Sequence, residues 1–225
     1  EDCAHSFCGE YNNKVMGTFA DFAVFSFYAT KSITCGEGGA IITNHKKYAD
    51  IIRSVSNNGM TKPAFKRFVN NRYIPWDVYN FGFKANLSDI NASILEDQVS
   101  SYSKIANLKK KLFKKYRYNL NNIKEVSLPS ENKNKNRDYY LFPIGVNKKY
   151  RNKLIEYLLK NKIFVTVNFK SISELHYYKK KYKNTKCPRS EEWGKETISL
   201  PFHVKITEKE IKEVCKKIKS FFLKI

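Results

Sequence analysis

Phe25-Ser-Phe-Tyr-Ala-Thr-Lys31-Ser-Ile-Thr-Cys-Gly-Glu-Gly-Gly39 is the stretch that decides how this chain of 225 residues folds. Two short apolar runs of strand type, Phe22–Phe27 and Gly39–Thr43, overlap its ends and predict a loop between two strands. Three of the nine glycines of the chain lie in this loop or at its edge, which indicates tight turns or a close approach of the backbone. Lys31 is placed to react with an aldehyde if its surroundings favour the uncharged amine. The loop alone, however, is more typical of a surface lysine.

Outward from this loop, helical and strand-like patterns alternate along the chain. The predicted elements are a helix over 46–57 that stops near Gly59, an irregular segment over 60–86, a long helix from Ser88 to about Leu120, a polar loop over 130–137, a strand over 139–146, a helix over 148–161 and a strand over 163–169. Thr207 and Glu210 form the S/T-x-x-E pattern of a capping box at the start of a last helix. The alternation predicts an α/β fold, and a seam in the long helix predicts two domains, residues 1–100 and 101–225.

The composition limits the classes of function. No run of about 18 apolar residues is present, so we expect no membrane span, and no charged-then-apolar leader is visible. The five scattered cysteines lack CxxC spacing, predict neither a zinc site nor a disulfide framework, and fit a cytoplasmic protein. We expect no metal site, since no local motif offers oxygen ligands either.

The formal charge of +21 leaves nucleic-acid binding open as an alternative function. The lysines, however, are spread through helix-like segments rather than gathered in one patch. This distribution is typical of solvated helix faces, and we expect no specific nucleic-acid role. A basic surface would still favour an anionic substrate, such as a nucleoside diphosphate.

Several further motifs follow one another in order along the chain. They are Glu1-Asp-Cys-Ala-His5, Gly17-Thr-Phe-Ala-Asp21, the lysine loop, Gly82-Phe-Lys-Ala-Asn-Leu-Ser-Asp-Ile-Asn-Ala92, Val167-Asn-Phe-Lys170, Tyr177-Tyr178 and Ile198-Ser-Leu-Pro201. Together they resemble the DegT/DnrJ/StrS family of sugar aminotransferases, which depend on pyridoxal 5'-phosphate (PLP), and the resemblance covers essentially the whole chain. It is closest to the branch that aminates C4 of UDP-linked keto-sugars. Ala85 and Asn168 depart from the family, which commonly has an aromatic residue and a histidine there, and either departure bears on substrate fit.

The resemblance implies an α/β fold of the fold-type I PLP-dependent transferases, like that of aspartate aminotransferase. Residues 1–100 would form the later part of the large PLP-binding lobe, and residues 101–225 the small C-terminal lobe. Because Glu1 already lies in a family motif, we expect the large lobe to be incomplete at the N-terminus. The missing part would supply the glycine-rich helix start that grips the phosphate and the aromatic side chain that stacks on the ring. Such a fragment would bind PLP weakly and be inactive alone.

The resemblance also implies roles for five residues. Lys31 would attach PLP covalently and then move a proton between the substrate carbon and the cofactor. Asp2 would keep the pyridine nitrogen protonated, His5 would contact the ring or its 3′-oxygen, and Ser26 would donate to the phosphate. Asn86 would reach the phosphate of a neighbouring subunit, so that active sites form across a homodimer. From the residues alone, Asp2 and Asn86 are also typical of turns, and His5 of ordinary packing.

The implied reaction is an amino transfer in two halves. An amino donor, expected to be L-glutamate, would load the cofactor, and the amino group would then pass to the keto carbon of a nucleotide-diphosphate sugar. Products of this kind feed surface glycans such as lipopolysaccharide. A related PLP-dependent sugar dehydratase is disfavoured, because a histidine takes the place of the lysine in that group. A catalytically inactive fragment and a basic nucleic-acid-binding protein are the remaining alternatives.

Overall fold

The computed structural model describes residues 1–61, 67–130 and 137–225. Within these ranges the chain divides into two compact units. The first unit holds the described residues of Glu1–Tyr102 and Asn134–Asp138, and the second holds those of Ser103–Lys133 and Tyr139–Ile225. The predicted irregular segment 60–86 and the predicted polar loop 130–137 lie partly outside the described residues. Among the residues described, no helix combines the length and the apolarity needed to cross a membrane.

The first unit contains short antiparallel strand pairs and two helices. Its elements are β1 Glu10–Tyr11, β2 Lys14–Val15, β3 Ala23–Ser26, β4 Gly39–Ile42, α1 Lys46–Val55, β5 Phe68–Val69, β6 Arg72–Tyr73 and α2 Asp89–Ser100. β1 pairs with β2, β3 with β4, and β5 with β6. The predicted strands at the two ends of the lysine loop are confirmed as β3 and β4, each slightly shorter than the apolar run that predicted it.

β3 shows the alternation of a strand with one face in the core. Ala23 and Phe25 are buried, whereas Val24 between them is 46% exposed. The N-terminal segment runs parallel to β3: Cys3 N donates to Val24 O at 2.8 Å, and Val24 N donates to Glu1 O at 2.9 Å. The bridge so formed pairs Asp2 with Val24. It places the first residues of the chain beside the strand that leads into the lysine loop.

α1 ends at Val55, two residues before its predicted end, and the chain then turns at Gly59. The Gly59 amide donates to Ser54 O at 2.8 Å. Gly59 has a φ of +73°, which L side chains rarely adopt, and a Cβ at this position would overlap the backbone of Asn80. Both the backbone conformation and the close approach therefore require glycine here.

The long helix predicted from Ser88 to about Leu120 is in fact two helices. α2 ends at Ser100, and α3 Tyr102–Leu120 begins two residues later. At the break, the Ser101 amide and the Ser100 hydroxyl both donate to Asp97 O, at 3.0 Å and 2.8 Å. The Ser101 amide bond is still of the helical i→i−4 type, so the regular hydrogen bonding of α2 continues up to the break.

The second unit is an antiparallel sheet with helices packed on it. After α3, its elements are β7 Val126–Ser127, β8 Phe142–Val146, α4 Lys148–Lys160, α5 His176–Lys181, α6 Pro188–Glu196, β9 Thr197–Leu200 and α7 Glu208–Phe222. The strand order is β7-β8-β9. The largest fully buried side chains of this unit form one core: Phe113, Tyr116, Leu120, Phe142, Ile144, Val146, Leu154, Leu158, Ile198, Ile211 and Ile218.

In this unit the sequence correctly predicted the start of the last helix but wrongly predicted a strand over 163–169. The predicted capping box is confirmed: Thr207 Oγ1 accepts from Glu210 N at 3.2 Å, and Glu210 Oε2 accepts from Thr207 N at 2.7 Å. The strand predicted over 163–169 does not form. Within it, Thr166 alone bridges to Ser199, through two backbone hydrogen bonds of 3.2 Å and 2.8 Å. The Thr166 hydroxyl instead donates to Asn168 Oδ1 at 2.7 Å, which favours a local turn over a strand.

Candidate functional site

The lysine loop is fixed at both of its ends by hydrogen bonds. Near its start, Lys31 N donates to Tyr28 O at 2.9 Å, which closes a turn. Near its end, the Thr34 hydroxyl donates to Phe27 O at 3.0 Å, and Thr34 N donates to Gln98 Oε1 at 2.9 Å. Ile33 is buried beneath the loop. Lys31 therefore lies on an ordered turn, and the side chain of Ile33 anchors the same loop in the core.

The Lys31 amine lies in surroundings that favour its neutral form. Partial burial lowers the pKa of the Lys31 amine, and the carboxylate of Asp2 acts against this shift. The effect of burial is the larger of the two, so a greater fraction of the amine is uncharged at neutral pH than in a fully solvated lysine. An uncharged amine is the form that attacks an aldehyde.

Asp2 is exposed and lies in the segment that bridges to β3. Its Oδ1 accepts from Ala4 N at 3.0 Å, the pattern of a side chain that stabilises a turn. The turn interpretation and the cofactor interpretation are thus compatible, because a carboxylate retains acceptor capacity after one such bond. Asp2 also acts electrostatically on both Lys31 and His5.

His5 interacts electrostatically with the Lys31 amine and with the nearby carboxylates. Partial burial, followed by the positive charge of Lys31, lowers the pKa of His5, while the carboxylates of Asp2 and Asp138 oppose the shift. The imidazole is therefore held toward its neutral form, which can both donate and accept a hydrogen bond. Three of the five predicted site residues, Asp2, His5 and Lys31, thus lie within one electrostatic cluster.

Ser26 and Asn86 lie toward the glycine end of the loop. Ser26 ends β3 opposite Gly39, and its hydroxyl oxygen accepts from Tyr28 N at 3.4 Å. Asn86 lines an open cleft of about 320 Å³. The other residues of that cleft are Glu37, Gly38, Gly39, Ala85, Leu87, Ser88 and Asn91. The structure thus places Asn86 beside the glycine block that pairs with β3, and separately from the charges around Lys31.

Two glycines of this block have a steric reason to be glycine. A Cβ at Gly38 would lie 2.5 Å from Cys35 Sγ and 3.1 Å from Leu87 Cδ1, and a Cβ at Gly39 would lie 3.0 Å from Phe25 O. A side chain at either position would force neighbours on the β3 side of the loop to shift. The predicted close approach of the backbone is therefore real at these two positions.

The sequence did not predict a role for Asp138, whose carboxylate binds both the segment that follows His5 and the Lys31 loop. Asp138 Oδ2 accepts from Phe7 N at 3.1 Å, and Asp138 Oδ1 accepts from Ser32 Oγ at 2.8 Å. Asp138 directly follows the polar segment 130–137, which carried no signal except that of a loop. Nothing local could have found it, because its partners lie more than 100 residues earlier in the chain.

The chain matches the sequence profile of the DegT/DnrJ/EryC1/StrS aminotransferase family over residues 1–219. It is 32% identical to the uncharacterised protein MJ1066 of Methanocaldococcus jannaschii over 98% of this chain and 58% of that protein. It is 27% identical to the spore coat polysaccharide biosynthesis protein SpsC of Bacillus subtilis, over 98% of this chain and 58% of SpsC. It is 28% identical to GDP-perosamine synthase of Escherichia coli O157:H7, over 99% of this chain and 57% of that enzyme. The chain thus spans less than three fifths of the length of these curated relatives.

Solved structures show the same fold. Helicobacter pylori PseC, an aminotransferase involved in the biosynthesis of pseudoaminic acid, superposes with a TM-score of 0.89 at 23% identity, over 100% of this chain and 59% of PseC. The PLP form of the sugar aminotransferase Spr1654 from Streptococcus pneumoniae gives 0.87 at 22% identity, over 99% of this chain and 57% of Spr1654. These likenesses confirm the fold-type I architecture of PLP-dependent transferases. The chain belongs to the DegT/DnrJ/EryC1/StrS aminotransferase family.

Proposed function

We propose that Lys31 is the residue that attaches PLP and that the protein transfers an amino group to a sugar. One observation carries the proposal: in a chain of a PLP-dependent family, the lysine of the predicted loop lies partly buried on an ordered turn, and burial lowers the pKa of its amine. A lysine that served only as a solvated surface charge would have no reason to be partly buried beside an imidazole and a carboxylate.

The residues around Lys31 fit PLP by their chemistry. PLP, when bound, supplies an aldehyde for an amine and a ring that accepts electrons from a substrate carbon. Lys31 offers the amine, and Asp2 offers a carboxylate that would hold the pyridine nitrogen in its protonated form. His5 offers a ring held toward its neutral form, to lie against the cofactor. Ser26 and Asn86 offer a hydroxyl and an amide for the phosphate, with Asn86 serving the partner subunit of a homodimer.

Lys31 would also move the proton of the reaction. With PLP bound, the Lys31 amine would act as the base that takes a proton from the substrate carbon and as the acid that gives a proton back. A base is most effective when its pKa lies near the working pH, and burial shifts the pKa of Lys31 in that direction. The same surroundings therefore serve both attachment and proton transfer.

The acceptor we propose is the keto group of a nucleotide-diphosphate sugar, with C4 of a UDP-linked sugar as the first choice, and the donor is L-glutamate. The printed names of the relatives support a sugar substrate, since they include a polysaccharide biosynthesis protein and GDP-perosamine synthase. The charge of +21 favours a diphosphate-bearing ligand. The proposed setting is the cytoplasm, where the product would feed a surface glycan such as lipopolysaccharide.

The experiment is an absorption spectrum of the intact protein with PLP, before and after L-glutamate is added. We expect a visible band of covalently bound cofactor that glutamate removes and a keto-sugar nucleotide restores. Lys31→Ala should lose the band and all turnover, whereas Lys47→Ala, which removes an exposed lysine of α1, should keep both. A Lys31→Ala protein that retained the band and turned over would contradict the assignment.

A further inference from the structure

The strongest unassigned feature of the molecule is the carboxylate of Asp138. Asp138 is half-buried and is the last residue of the first unit, because the chain from Tyr139 onward belongs to the second. One oxygen accepts from the backbone of Phe7, two residues after His5, and the other accepts from the hydroxyl of Ser32, the residue after Lys31. We propose that Asp138 is a positioning residue that holds the His5 segment and the Lys31 loop in register with each other. This inference rests on the function proposed above.

A tyrosine hydroxyl reinforces the link. The Tyr102 hydroxyl donates to Phe7 O, the carbonyl of the same residue whose amide binds Asp138. Burial, and then the negative charge of Asp138, raise the pKa of Tyr102. The phenol therefore stays protonated and remains a donor. Both polar groups of the Phe7 backbone are thereby fixed.

The ring of Phe7 also packs against the side chains on either side of Ser26. It packs edge-on against Phe25 and Phe27, with centroid separations of 5.9 Å and 6.1 Å, and against Tyr102 at 4.9 Å. Ser26, the last residue of β3, lies between Phe25 and Phe27 in the chain. Asp138 therefore sits at a point where the His5 segment, the Lys31 loop and β3 are joined.

An uncharged side chain of the same shape can keep both contacts of Asp138 only if one of the two hydrogen bonds reverses its direction. In Asp138→Asn the amide oxygen can still accept from Phe7 N, which is a donor only. The new amide NH₂ must then face Ser32 Oγ, whose hydroxyl now has to accept instead of donate. The negative charge that acts on His5 is lost as well. Reacting groups that are misplaced by about 1 Å can lose about 100-fold in rate, so a small slip of the loop would be measurable.

The first test uses cofactor-free protein, so that it does not depend on turnover. The imidazole of His5 is titrated by NMR in the parent, Asp138→Asn, Ser32→Ala and the control Asp50→Asn, which removes an exposed carboxylate of α1. The charged groups that act on His5 are Lys31, Asp2 and Asp138. Because Asp138 raises the pKa of His5, Asp138→Asn should lower the pKa of His5. Ser32→Ala and Asp50→Asn, which keep Asp138, should leave it unchanged.

The second test measures PLP affinity and turnover in the intact protein. Asp138→Asn should weaken PLP binding and reduce turnover by about 10- to 100-fold, and Ser32→Ala should cause a smaller loss of the same kind. Should Asp138→Asn fail to fold, a protein with both Ser32→Ala and Tyr102→Phe keeps the carboxylate but removes the hydroxyl that donates to it and the hydroxyl that donates to Phe7 O, and a loss of PLP affinity is again expected.

Two outcomes separate this inference from the proposed function. A protein with Asp138→Asn that loses thermal stability but keeps its PLP affinity and its His5 titration would make Asp138 a purely structural residue and overturn the inference alone. A Lys31→Ala protein that still shows the bound-cofactor band would overturn the proposed function, whatever Asp138→Asn does.

Discussion

At the scale of single residues, burial and the charge of Asp2 shift the pKa of Lys31 in opposite directions. Burial lowers the pKa of the amine more than Asp2 raises it. The sign of the shift has a direct consequence: as pH rises, Lys31 becomes neutral at a lower pH than a fully solvated lysine does. We therefore expect Lys31 to react with formaldehyde and a mild reductant at a lower pH than the exposed lysines of α1. Peptide mass mapping of each lysine over a pH series measures this, and identical pH profiles would contradict it.

Asp2 is the second residue whose proposed role can be tested separately from attachment of the cofactor. With Asp2→Asn, the turn at Ala4 can persist, because an amide oxygen also accepts from its N–H. The pyridine nitrogen of PLP would lose its carboxylate partner. We expect the bound-cofactor band to remain and kcat to fall by about two orders of magnitude or more, within the range of acid–base contributions to catalysis. Near-normal kcat, measured under saturating donor and acceptor, would leave Asp2 as a turn residue only.

At the scale of elements, two glycines with positive φ differ in how much a substitution by alanine should destabilise the fold. Gly59 has a φ of +73° and no room for a Cβ, whereas Gly36 has a φ of +85° and open space around the same position. Gly36→Ala should cost only the strain of the left-handed conformation, about 1 kcal/mol. Gly59→Ala adds a clash with the backbone of Asn80 and should cost clearly more. Urea unfolding of the two variants compares them directly, and equal losses would show that the chain relaxes freely at Gly59.

The capping box gives a test in the second unit. Thr207→Ala removes the hydroxyl that accepts from Glu210 N at the start of α7, and loss of such a cap costs about 1 kcal/mol of unfolding free energy. Lys209→Ala, an exposed change in the same turn, should stay within about 0.5 kcal/mol of the parent. Urea denaturation curves supply both values. A stability of Thr207→Ala equal to that of Lys209→Ala would mean that the cap adds nothing to α7.

The elements also show which features the sequence could predict. The β3 and β4 strands and the Thr207 cap follow from patterns a few residues long, and they are present. The break between α2 and α3 at Ser101 was not predicted, because the apolar residues on both sides of it keep helical spacing and favoured one longer helix. Asp138 could not be found at all, because its role is defined by Phe7 and Ser32, far away in sequence. Patterns predict local elements, but they do not predict which distant segments one side chain will join.

At the scale of the whole molecule, the charge of +21 should act on ligands in proportion to their own charge. Screening shortens the range of such attraction from about 10 Å at 0.1 M salt to about 3 Å at 1 M. We expect the affinity of the intact protein for uridine diphosphate, measured by calorimetry, to fall as salt rises. Binding of uridine, which lacks the phosphates, should change little over the same range. A salt-independent affinity for the diphosphate would mean that the basic surface lies away from the nucleotide.

We propose that one lysine among many, Lys31, carries the cofactor. Borohydride reduction of the intact protein with PLP converts the covalent attachment into a stable bond, and peptide mass spectrometry then locates it. Burial lowers the pKa of Lys31, and its charge interacts with Asp2 and His5, so the reduced cofactor should be found on the peptide that contains Lys31. A label located on another lysine, or scattered over exposed lysines without preference, would contradict the account.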